Sequence, residues 1–496
     1  MTLVETKAED GSPVKFIFKD PKQGGVKDVY FAPDRSYVVA FFRKPLDVNG
    51  RGRIDKLVNQ YRKGIYEQGG GEYWKNLFCW PEKIVQYNNM TGLVVPTYHP
   101  RFFFGPSTPP PPSLAGAEKE GKWFASAKVF NKFVPAEEKG DLLGYFNVCL
   151  KLARAVRRLH AAGLAHSDLS YKNCLVDPAR GNACIIDIDG LVVPGLFPPD
   201  VVGTPDFIAP EVVSSLHLPV KDPNRKLPSR VTDQHALSVL VYIYLFHRHP
   251  LRGPKFHSED TDVQERLEMG EKALFIENAK DTSNRPKKFT GRISDCMPWV
   301  DPGKLPYTMH GPLLTKLFDQ AFIDGLHNPA KRPTADQWEF ELVRTFDMLQ
   351  PCPNKSCLKK WFIFDNSMKP KCPYCGTAYT GVLPVLDFYS THNGTKYMSD
   401  NHRLMVFNGQ SLSQWHTDRS VVPNEMLTDA QRKRVGYFQI HNGKWVFVNE
   451  TLPDMKNITT GQPIPIKGSV ELTTGLQLLF APGRNGRMAN VQIVNG

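Results

Sequence analysis

The chain has 496 residues, and at roughly 150 residues per domain this length predicts about three domains. Hydrophobic residues make up 41% and charged residues 23% of it, which excludes disorder throughout, and the net charge of +12 is spread along the chain as on a solvated surface. Because no apolar run reaches the roughly 18 residues that span a bilayer, and the N-terminal MTLVETKAEDGS lacks a signal-peptide pattern, we expect a cytoplasmic protein without a membrane partner.

Strand patterns come first along the chain, and helix patterns follow them. Three β-type runs are followed by a helix pattern and then by four more; in order they cover residues 15–19, 29–32 and 37–43, then 55–67, 141–162, 233–245, 311–326 and 335–349. This order predicts an α+β body, with a β-rich lobe over about residues 1–100 and a helical lobe over about 101–350.

The composition changes after Gln350. A Cys/Pro/Lys-rich segment covers residues 351–381, and from 382 to 496 short β runs alternate with turns. The β runs are Leu404–Phe407, Gly436–His441, Trp445–Val448, Gln462–Ile466, Ser469–Thr473 and Gln477–Phe480. Turn signals at such spacing predict a small all-β sandwich.

The segment richest in catalytic side-chain types is His166-Ser-Asp168-Leu-Ser-Tyr-Lys-Asn173, which stands fourteen residues before Asp187-Ile-Asp189-Gly190. Phosphoryl transfer needs a carboxylate near the attacking hydroxyl and oxygen ligands for Mg²⁺. On a loop between a helix and a hairpin, Asp168 supplies the base and Asn173 one metal ligand, and the apolar run that follows delivers Asp187 as the second. Taken alone, the same motif also fits a loop that is only capped by its Asp.

Three further motifs follow in a fixed order. They are Gly203-Thr-Pro-Asp-Phe-Ile-Ala209-Pro210-Glu211, then Thr232-Asp233-Gln-His-Ala-Leu-Ser238, then Asn328-Pro-Ala-Lys-Arg332-Pro333-Thr334. With this set the chain resembles the eukaryotic-type protein kinases over residues 1 to about 350. The resemblance implies a bilobal kinase fold that uses ATP with Mg²⁺ or Mn²⁺ and acts on a protein substrate. It also implies a buried Glu211–Arg332 ion pair and an Asp233 that caps the catalytic loop.

The cation that positions ATP departs from the usual pattern. The third strand, Tyr37-Val-Val-Ala40-Phe41-Phe42-Arg43-Lys44, carries phenylalanines where that lysine would fall. The preceding turn, Gln23-Gly24-Gly25-Val26-Lys27, resembles the nucleotide-covering loop of the with-no-lysine kinases, so Lys27 is expected to hold the phosphates while Gly24 and Gly25 let backbone amides approach them. A solvated loop lysine, or a cation from Arg43 or Lys44, is the alternative.

The acid partner of the lysine stays open, and the sequence argues against one form of regulation. The helix acid that would pair with the lysine could be Asp55 or Glu67, and a solvated helix face explains both equally well. Ser167 stands where the resemblance implies a phosphate-binding Arg, and Thr204 is the only hydroxyl-bearing residue between Gly190 and Glu211. These features argue against control by phosphorylation of the activation segment.

Four of the nine cysteines form two short-spaced pairs. Cys352-Pro-Asn-Lys-Ser-Cys357 is followed by Cys372-Pro-Tyr-Cys375-Gly376. Four thiolates suit a tetrahedral Zn²⁺ with no open position, so the site would be structural. The segment is too small to fold on its own core, and metal would supply its stability. We predict a zinc ribbon over residues 351–381; a redox pair and coincidental free cysteines are the alternatives.

Residues 382–496 resemble a degenerate forkhead-associated-type sandwich. The resemblance lies in Gly436-Tyr-Phe-Gln-Ile-His-Asn-Gly443-Lys-Trp445-Val-Phe-Val-Asn449 and in Ile464-Pro-Ile-Lys-Gly468-Ser-Val-Glu-Leu. Ser413-Gln-Trp-His416 matches a phosphopeptide-binding motif by letter but precedes its expected place, and the basic run Arg432-Lys-Arg434 could bind an anion or be a solvated turn. We expect a module for protein contact.

The whole arrangement resembles bacterial kinases of tellurite-resistance and stress-response neighbourhoods. That resemblance implies a serine/threonine protein kinase whose partners carry a von Willebrand-type domain or are metal-dependent Ser/Thr phosphatases. Two alternatives stay open: a pseudokinase scaffold, favoured by the missing strand lysine, and a small-molecule kinase, favoured by the Asp-x-Asp at Asp187 and Asp189. Nucleic-acid binding rests only on overall basicity and the cysteine segment, and it ranks last.

Overall fold

The computed structural model describes residues 2–106, 114–193, 196–197, 203–219, 221–286, 296, 298–367 and 369–496. The chain divides into two compact units. The first contains Met1–Gly140, Gly144–Pro306 and Leu317–Glu339, and the second contains Asp141–Leu143, Tyr307–Lys316 and Phe340–Gly496. None of the helices in these described ranges combines the length and the hydropathy needed to cross a bilayer.

The first unit begins with β-strands. They are β1 (Leu3–Lys7), β2 (Pro13–Ile17), β3 (Lys22–Gln23), β4 (Lys27–Phe31), β5 (Tyr37–Phe42), β6 (Lys83–Tyr87), β7 (Met90–Pro96), β8 (Cys174–Asp177) and β9 (Asn182–Ile185). Five of them form one antiparallel sheet in the order β3-β4-β5-β7-β6, while β1–β2 and β8–β9 are separate hairpins. The sheet packs through alternate buried side chains, among them Phe41 and Val85, against Phe16 of β2.

Helices make up most of the rest of this unit and continue to the unit boundary. They are α1 (Val48–Lys56), α2 (Arg62–Glu67), α3 (Gly71–Lys75), α4 (Lys122–Ala125), α5 (Ala127–Phe133), α6 (Leu142–Ala161), α7 (Pro210–Ser215), α8 (Arg230–Phe246), α9 (Thr261–Arg266), α10 (Gly311–Asp319) and α11 (Ala335–Phe346). A π-helical turn, Leu57–Tyr61, joins α1 to α2. Helix α8 is buried along nearly its whole length because its last eleven residues are almost all apolar.

Most of the predicted elements of the first unit are present, with shifted ends. The helix predicted over 55–67 begins at Val48, because the Asp47 carboxylate accepts a hydrogen bond from the Gly50 N–H at 2.7 Å and caps it. Strands β6 and β7 were not predicted. Their hairpin turns at Asn88 and Asn89, both at positive φ, and this Asn-Asn pair was the available signal.

The second unit is built mainly from strands. They are β10 (Leu349–Pro351), β11 (Trp361–Ile363), β12 (Val382–Thr391), β13 (Tyr397–Met405), β14 (Ser411–Ser413), β15 (Arg434–His441), β16 (Lys444–Asn449), β17 (Lys456–Asn457), β18 (Ser469–Glu471), β19 (Gln477–Leu479) and β20 (Arg487–Asn495), with the short helix α12 (Asp429–Arg432). One sheet has the order β13-β12-β20-β19-β17 and the other β14-β15-β16-β18.

The two sheets of the second unit share one hydrophobic core. Phe388 and Val491 from the first sheet and Phe438 and Phe447 from the second belong to the same buried cluster, which also includes cysteines of the Cys-rich segment. The strand predicted at Gln462–Ile466 is wrong: the segment contributes only an isolated bridge at Pro463. Two prolines within five residues remove the N–H groups that a strand ladder needs.

Candidate active site

The loop between α6 and β8 holds Asp168 and Asn173 together. Asn173 Nδ2 donates to both the carbonyl oxygen and Oδ2 of Asp168, each at 2.9 Å. The other carboxylate oxygen, Oδ1, accepts from the backbone N–H of Thr204 at 2.6 Å and from its hydroxyl at 2.8 Å. The Asp168 carboxylate is therefore oriented from two sides, by the amide five residues later and by the segment that begins at Gly203.

Asp233 fixes the backbone of this loop. Its buried carboxylate accepts from the backbone N–H of His166 at 2.7 Å and from that of Ser167 at 3.2 Å. These bonds hold Ser167 at a φ of +66°, an unusual conformation for a residue other than glycine. The capping role that the resemblance implied for Asp233 is confirmed.

The ion pair implied between Glu211 and Arg332 is also present. The guanidinium donates two parallel bonds to the carboxylate, at 2.8 and 2.6 Å, and Arg332 is 3% exposed. A forked pair of this kind fixes the orientation of both groups. It joins the start of α7 to the turn before α11, so it stabilises the segment that carries Thr204.

Asp187 lies beside the loop because the strand before it is hydrogen-bonded to it. The Ile186 N–H donates to the Asn173 carbonyl at 3.0 Å, and His166 Nε2 lies 3.0 Å from the Ile186 carbonyl. Asp187 then turns out of the hairpin at a φ of +60°, and its carboxylate is exposed. Asp187 thus follows directly on a residue that is bonded to the loop of Asp168 and Asn173.

Lys27, the first residue of β4, reaches the carboxylates of this segment. Its Nζ lies 2.7 Å from each carboxylate oxygen of Asp189 and 3.4 Å from Asp187 Oδ1. Burial lowers the pKa of this ammonium group, but the charges of Asp189 and Asp187 and their hydrogen bonds outweigh burial and raise the pKa above its usual value. Lys27 is therefore a cation in the structure.

The two other candidate cations are placed differently. Arg43 pairs with Asp28 at 2.9 Å, and its guanidinium donates to the carbonyl groups of Gly24, Gly25 and Lys27, so it braces the glycine-rich turn from outside. Lys44 is exposed. The turn closes through a 2.9 Å bond from the Gly24 N–H to the Lys27 carbonyl.

The acid that faces Lys27 was missed by sequence reasoning. Among the described residues, the carboxylates within ion-pair distance of Lys27 Nζ belong to Asp187 and Asp189. Asp55 instead accepts from Asn59 at 2.9 Å, and Glu67 is exposed at the end of α2. The available signal was the Asp-x-Asp spacing, since the 3₁₀ turn Ile188–Gly190 returns Asp189 to the same side as Asp187.

The four cysteines of the second unit converge. The Sγ atoms of Cys352, Cys357, Cys372 and Cys375 all lie within 4.8 Å of one another, with 3.5 Å between Cys352 and Cys375 and 3.8 Å between Cys357 and Cys372. Four thiolates bound tetrahedrally at Zn–S distances of about 2.3 Å stand about 3.8 Å apart, so the donor set fits this ion.

The segment from Ser413 to His416 makes its hydrogen bonds within the second unit. His416 Nδ1 accepts from the Ser413 N–H at 3.0 Å, and its Nε2 lies 3.2 Å from the Asp347 carboxylate. Of the basic run, Arg434 pairs with Glu450 at 2.8 Å. Both histidine nitrogens are thus engaged within the second unit.

Comparisons with known proteins agree on one family. Residues 138–338 match the model of the protein kinase domain. Death-associated protein kinase dapk-1 of Caenorhabditis elegans is 38% identical over 103 residues, which cover 20% of this chain and 6% of that protein. Probable serine/threonine-protein kinase fhkA of Dictyostelium discoideum is 27% identical over 183 residues, or 30% of this chain and 31% of that protein. The chain thus spans less than a third of either relative.

Among solved structures, a rhoptry kinase from Toxoplasma gondii is 12% identical, with 70% of this chain and 83% of that chain covered at a TM-score of 0.42. The Toxoplasma gondii rhoptry antigen kinase domain is also 12% identical, with 70% and 86% covered at a TM-score of 0.38. The match over residues 138–338 shows a protein kinase domain in this chain.

Proposed function

We propose that this chain is a serine/threonine protein kinase that transfers the γ-phosphoryl group of ATP to a protein hydroxyl. The observation that carries the proposal is the convergence of Lys27 with the Asp187 carboxylate, 3.4 Å from Nζ to Oδ1, beside a loop on which Asn173 orients Asp168. A base, two oxygen ligands and a cation within one cleft are what phosphoryl transfer requires.

Each side chain has a role in that reaction. Mg²⁺, when bound, neutralises charge on the phosphates. The Asn173 amide and the Asp187 carboxylate supply the oxygens that hold it. Asp168 orients the substrate hydroxyl and accepts its proton as the oxygen bonds to the γ-phosphorus and the bond from that phosphorus to ADP breaks. Lys27 steadies the phosphates, and the turn at Gly24 and Gly25 lets backbone N–H groups approach them.

The serine/threonine class is supported by one curated relative, which is named as a serine/threonine kinase. A protein rather than a small-molecule substrate is supported by Thr204, which is hydrogen-bonded to Asp168 on the segment where, by the resemblance, an extended peptide would be seated. Transfer to a small molecule would need no such segment.

A transfer assay tests the proposal. The full chain is incubated with γ-labelled ATP and Mg²⁺, alone and with dephosphorylated casein, and labelled amino acids are identified after hydrolysis. We expect phosphoserine or phosphothreonine from the parent, none from Asp168→Ala, and a large loss from Lys27→Ala but not from the matched exposed-lysine variant Lys44→Ala. Nucleotide binding by calorimetry without any transfer would overturn the proposal in favour of a scaffold, and phosphotyrosine would overturn the hydroxyl class.

We propose further that Cys352, Cys357, Cys372 and Cys375 hold a structural Zn²⁺ and that the two sheets after it form a forkhead-associated-like sandwich for protein contact. The Sγ separations of 3.5 and 3.8 Å support the first part. Cytoplasmic stress signalling of the tellurite-resistance type, with a von Willebrand-type domain protein and a metal-dependent phosphatase as partners, rests on resemblance. Co-purification of either partner class with the tagged chain from its source cell tests that part, and recovery of neither would contradict it.

A further inference from the structure

The Lys27 ammonium group needs a fixed counter-charge. Its side chain is 16% exposed, and it extends from the start of β4 across the cleft. A cation withdrawn from water to this extent is costly unless a carboxylate pairs with it. In an isolated glycine-rich turn, the side chain would also sample many rotamers, so a partner decides where its charge is held.

Asp189 supplies the stronger of the two contacts. Both of its carboxylate oxygens lie 2.7 Å from Lys27 Nζ, whereas only one oxygen of Asp187 approaches, at 3.4 Å. The Asp189 side chain is 14% exposed and that of Asp187 is 53% exposed. Asp189 is therefore the more buried partner of Lys27 and contacts it with both carboxylate oxygens. The carboxylate of Asp187 stays largely open to solvent.

The backbone around Asp189 explains this division. Ile188 is buried and anchors the 3₁₀ turn from the opposite side, and the Leu191 N–H closes the turn on the Ile188 carbonyl at 3.2 Å. From this turn the carboxylates at 187 and 189 both reach Lys27 Nζ. The other nearby acid, Asp28, is engaged by Arg43 at 2.9 Å.

We propose that Asp189 is the positioning residue for Lys27, in the place of a helix acid, so that one short loop supplies both the metal-binding Asp187 and the carboxylate that aims the phosphate-binding cation. This inference rests on the proposed function of Lys27. It means that the glycine-rich turn and the loop after β9 form the cation site as a pair, without a contribution from α1 or α2. Asp55 and Glu67 then carry no catalytic duty.

The first test needs no catalysis. The nucleotide-free chain is treated with N-hydroxysuccinimide acetate, and the acetylation rates of Lys27 and of the exposed Lys44 are compared by mass spectrometry. A charge-assisted hydrogen bond is worth about 1.5–3 kcal/mol, which corresponds to a rate ratio of about ten- to a hundredfold. In Asp189→Asn we expect the acetylation rate of Lys27, relative to that of Lys44, to rise by this factor. Asp189→Glu should stay close to the parent. The matched carboxylate variant Asp55→Asn should leave the rate unchanged.

The second test separates binding from chemistry. In the transfer assay, Asp189→Asn is expected to raise KM for ATP about tenfold or more, because the cation is no longer held at the phosphates. In the Lys27→Met background the same substitution should have little further effect, since its partner is already gone. Asp189→Glu should recover most of the loss, which a variant that only failed to fold would not do.

The outcomes distinguish the two levels of the proposal. Unchanged Lys27 acetylation in Asp189→Asn overturns the positioning role, whatever happens to activity. A raised KM with unchanged acetylation also overturns it and assigns Asp189 to the metal instead. If the parent transfers no phosphate at all, the proposed function fails, while the acetylation result still decides whether Asp189 holds Lys27.

Discussion

Lys27 lies directly opposite Phe42 in the pairing of β4 with β5, and its Nζ stands 5.5 Å from the centre of the Phe42 ring. In the kinases that the chain resembles, the strand position of Phe42 carries the phosphate-binding lysine. Cross-strand neighbours on one face of an antiparallel pair have Cβ atoms only about 4.5–5.5 Å apart. Moving the lysine one strand over therefore keeps the cation on the same face of the sheet.

This relationship predicts that a lysine placed at position 42 of β5 can partly replace Lys27 of β4. Lys27→Met should lower kcat/KM by about a hundredfold or more, because a cation at the phosphates contributes several kcal/mol of electrostatic stabilisation. Adding Phe42→Lys to that variant should restore part of the loss, since the new ammonium group starts from the neighbouring position. The check is transfer kinetics on the single and double variants, with Phe42→Met as the control for loss of the ring. A double variant that folds but shows no recovery would contradict this account.

A second prediction concerns Thr204. Its hydroxyl and its backbone N–H both donate to Asp168 Oδ1, so Thr204→Ala removes one of the two bonds and Thr204→Ser keeps both. We expect Thr204→Ala to lower kcat by about tenfold, near the value of one charge-assisted hydrogen bond, and Thr204→Ser to stay close to the parent.

The same residue tests the absence of control by activation-segment phosphorylation. A phosphate on the Thr204 hydroxyl would break its bond to Asp168 and bring two like charges together. Mass spectrometry of active enzyme should therefore find Thr204 unmodified. Heavy phosphorylation in the active fraction would show that the hypothesis is wrong.

The part of the site that could be predicted from sequence is the part carried by local spacing. Asp168 and Asn173 are five residues apart on one loop, so their side chains meet wherever the fold places that loop. The role of Asp233 was accessible only through the resemblance, because its bonds to His166 and Ser167 span more than sixty residues of chain.

Contacts decided by tertiary geometry were harder to predict. Asp189 reaches Lys27 across 162 residues, and although the Asp-x-Asp spacing marks Asp189 as a candidate, only the fold shows that it, and not Asp55, lies against Lys27. The same limit applies to β12, whose residues are buried on both faces over much of its length and so show no alternation. By contrast β15 and β16, which alternate for part of their length, were predicted within two residues at each end.

A third prediction concerns zinc. Cys357→Ser removes one of the four thiolates, and we expect the variant to lose close to one equivalent of zinc by elemental analysis and to unfold at a lower temperature than the parent. Cys357 and two of the other three cysteines belong to the same buried cluster as the strands of the second unit, so loss of the metal should loosen that core as well. Cys296→Ser, outside the cluster, is the matched control. Retention of full zinc content in Cys357→Ser would contradict the four-thiolate site.

The final prediction concerns pH and the partly buried Asp347. Its carboxylate lies 2.6 Å from His402 Nε2 and 3.2 Å from His416 Nε2. Burial alone would raise the pKa of Asp347, but the electrostatic interaction with His416 and the hydrogen bonds from both histidines outweigh burial and hold the pKa well below its usual range. A group whose pKa is depressed by folding stabilises the folded state above its unfolded pKa of about 3.9, and that contribution is lost as the pH falls below it.

Asp347→Asn should therefore cost about 1–3 kcal/mol of unfolding free energy at pH 7, because two partly buried histidine nitrogens lose a charged acceptor. The difference between parent and variant should shrink as the pH is lowered from 5 toward 2. Urea unfolding followed by tryptophan fluorescence across this range measures it, and since both proteins carry the same four cysteines, acid loss of metal cancels in the difference. A difference that grows on acidification would require the pKa of Asp347 in the folded chain to lie above its unfolded value, which its two short contacts to imidazole nitrogens oppose.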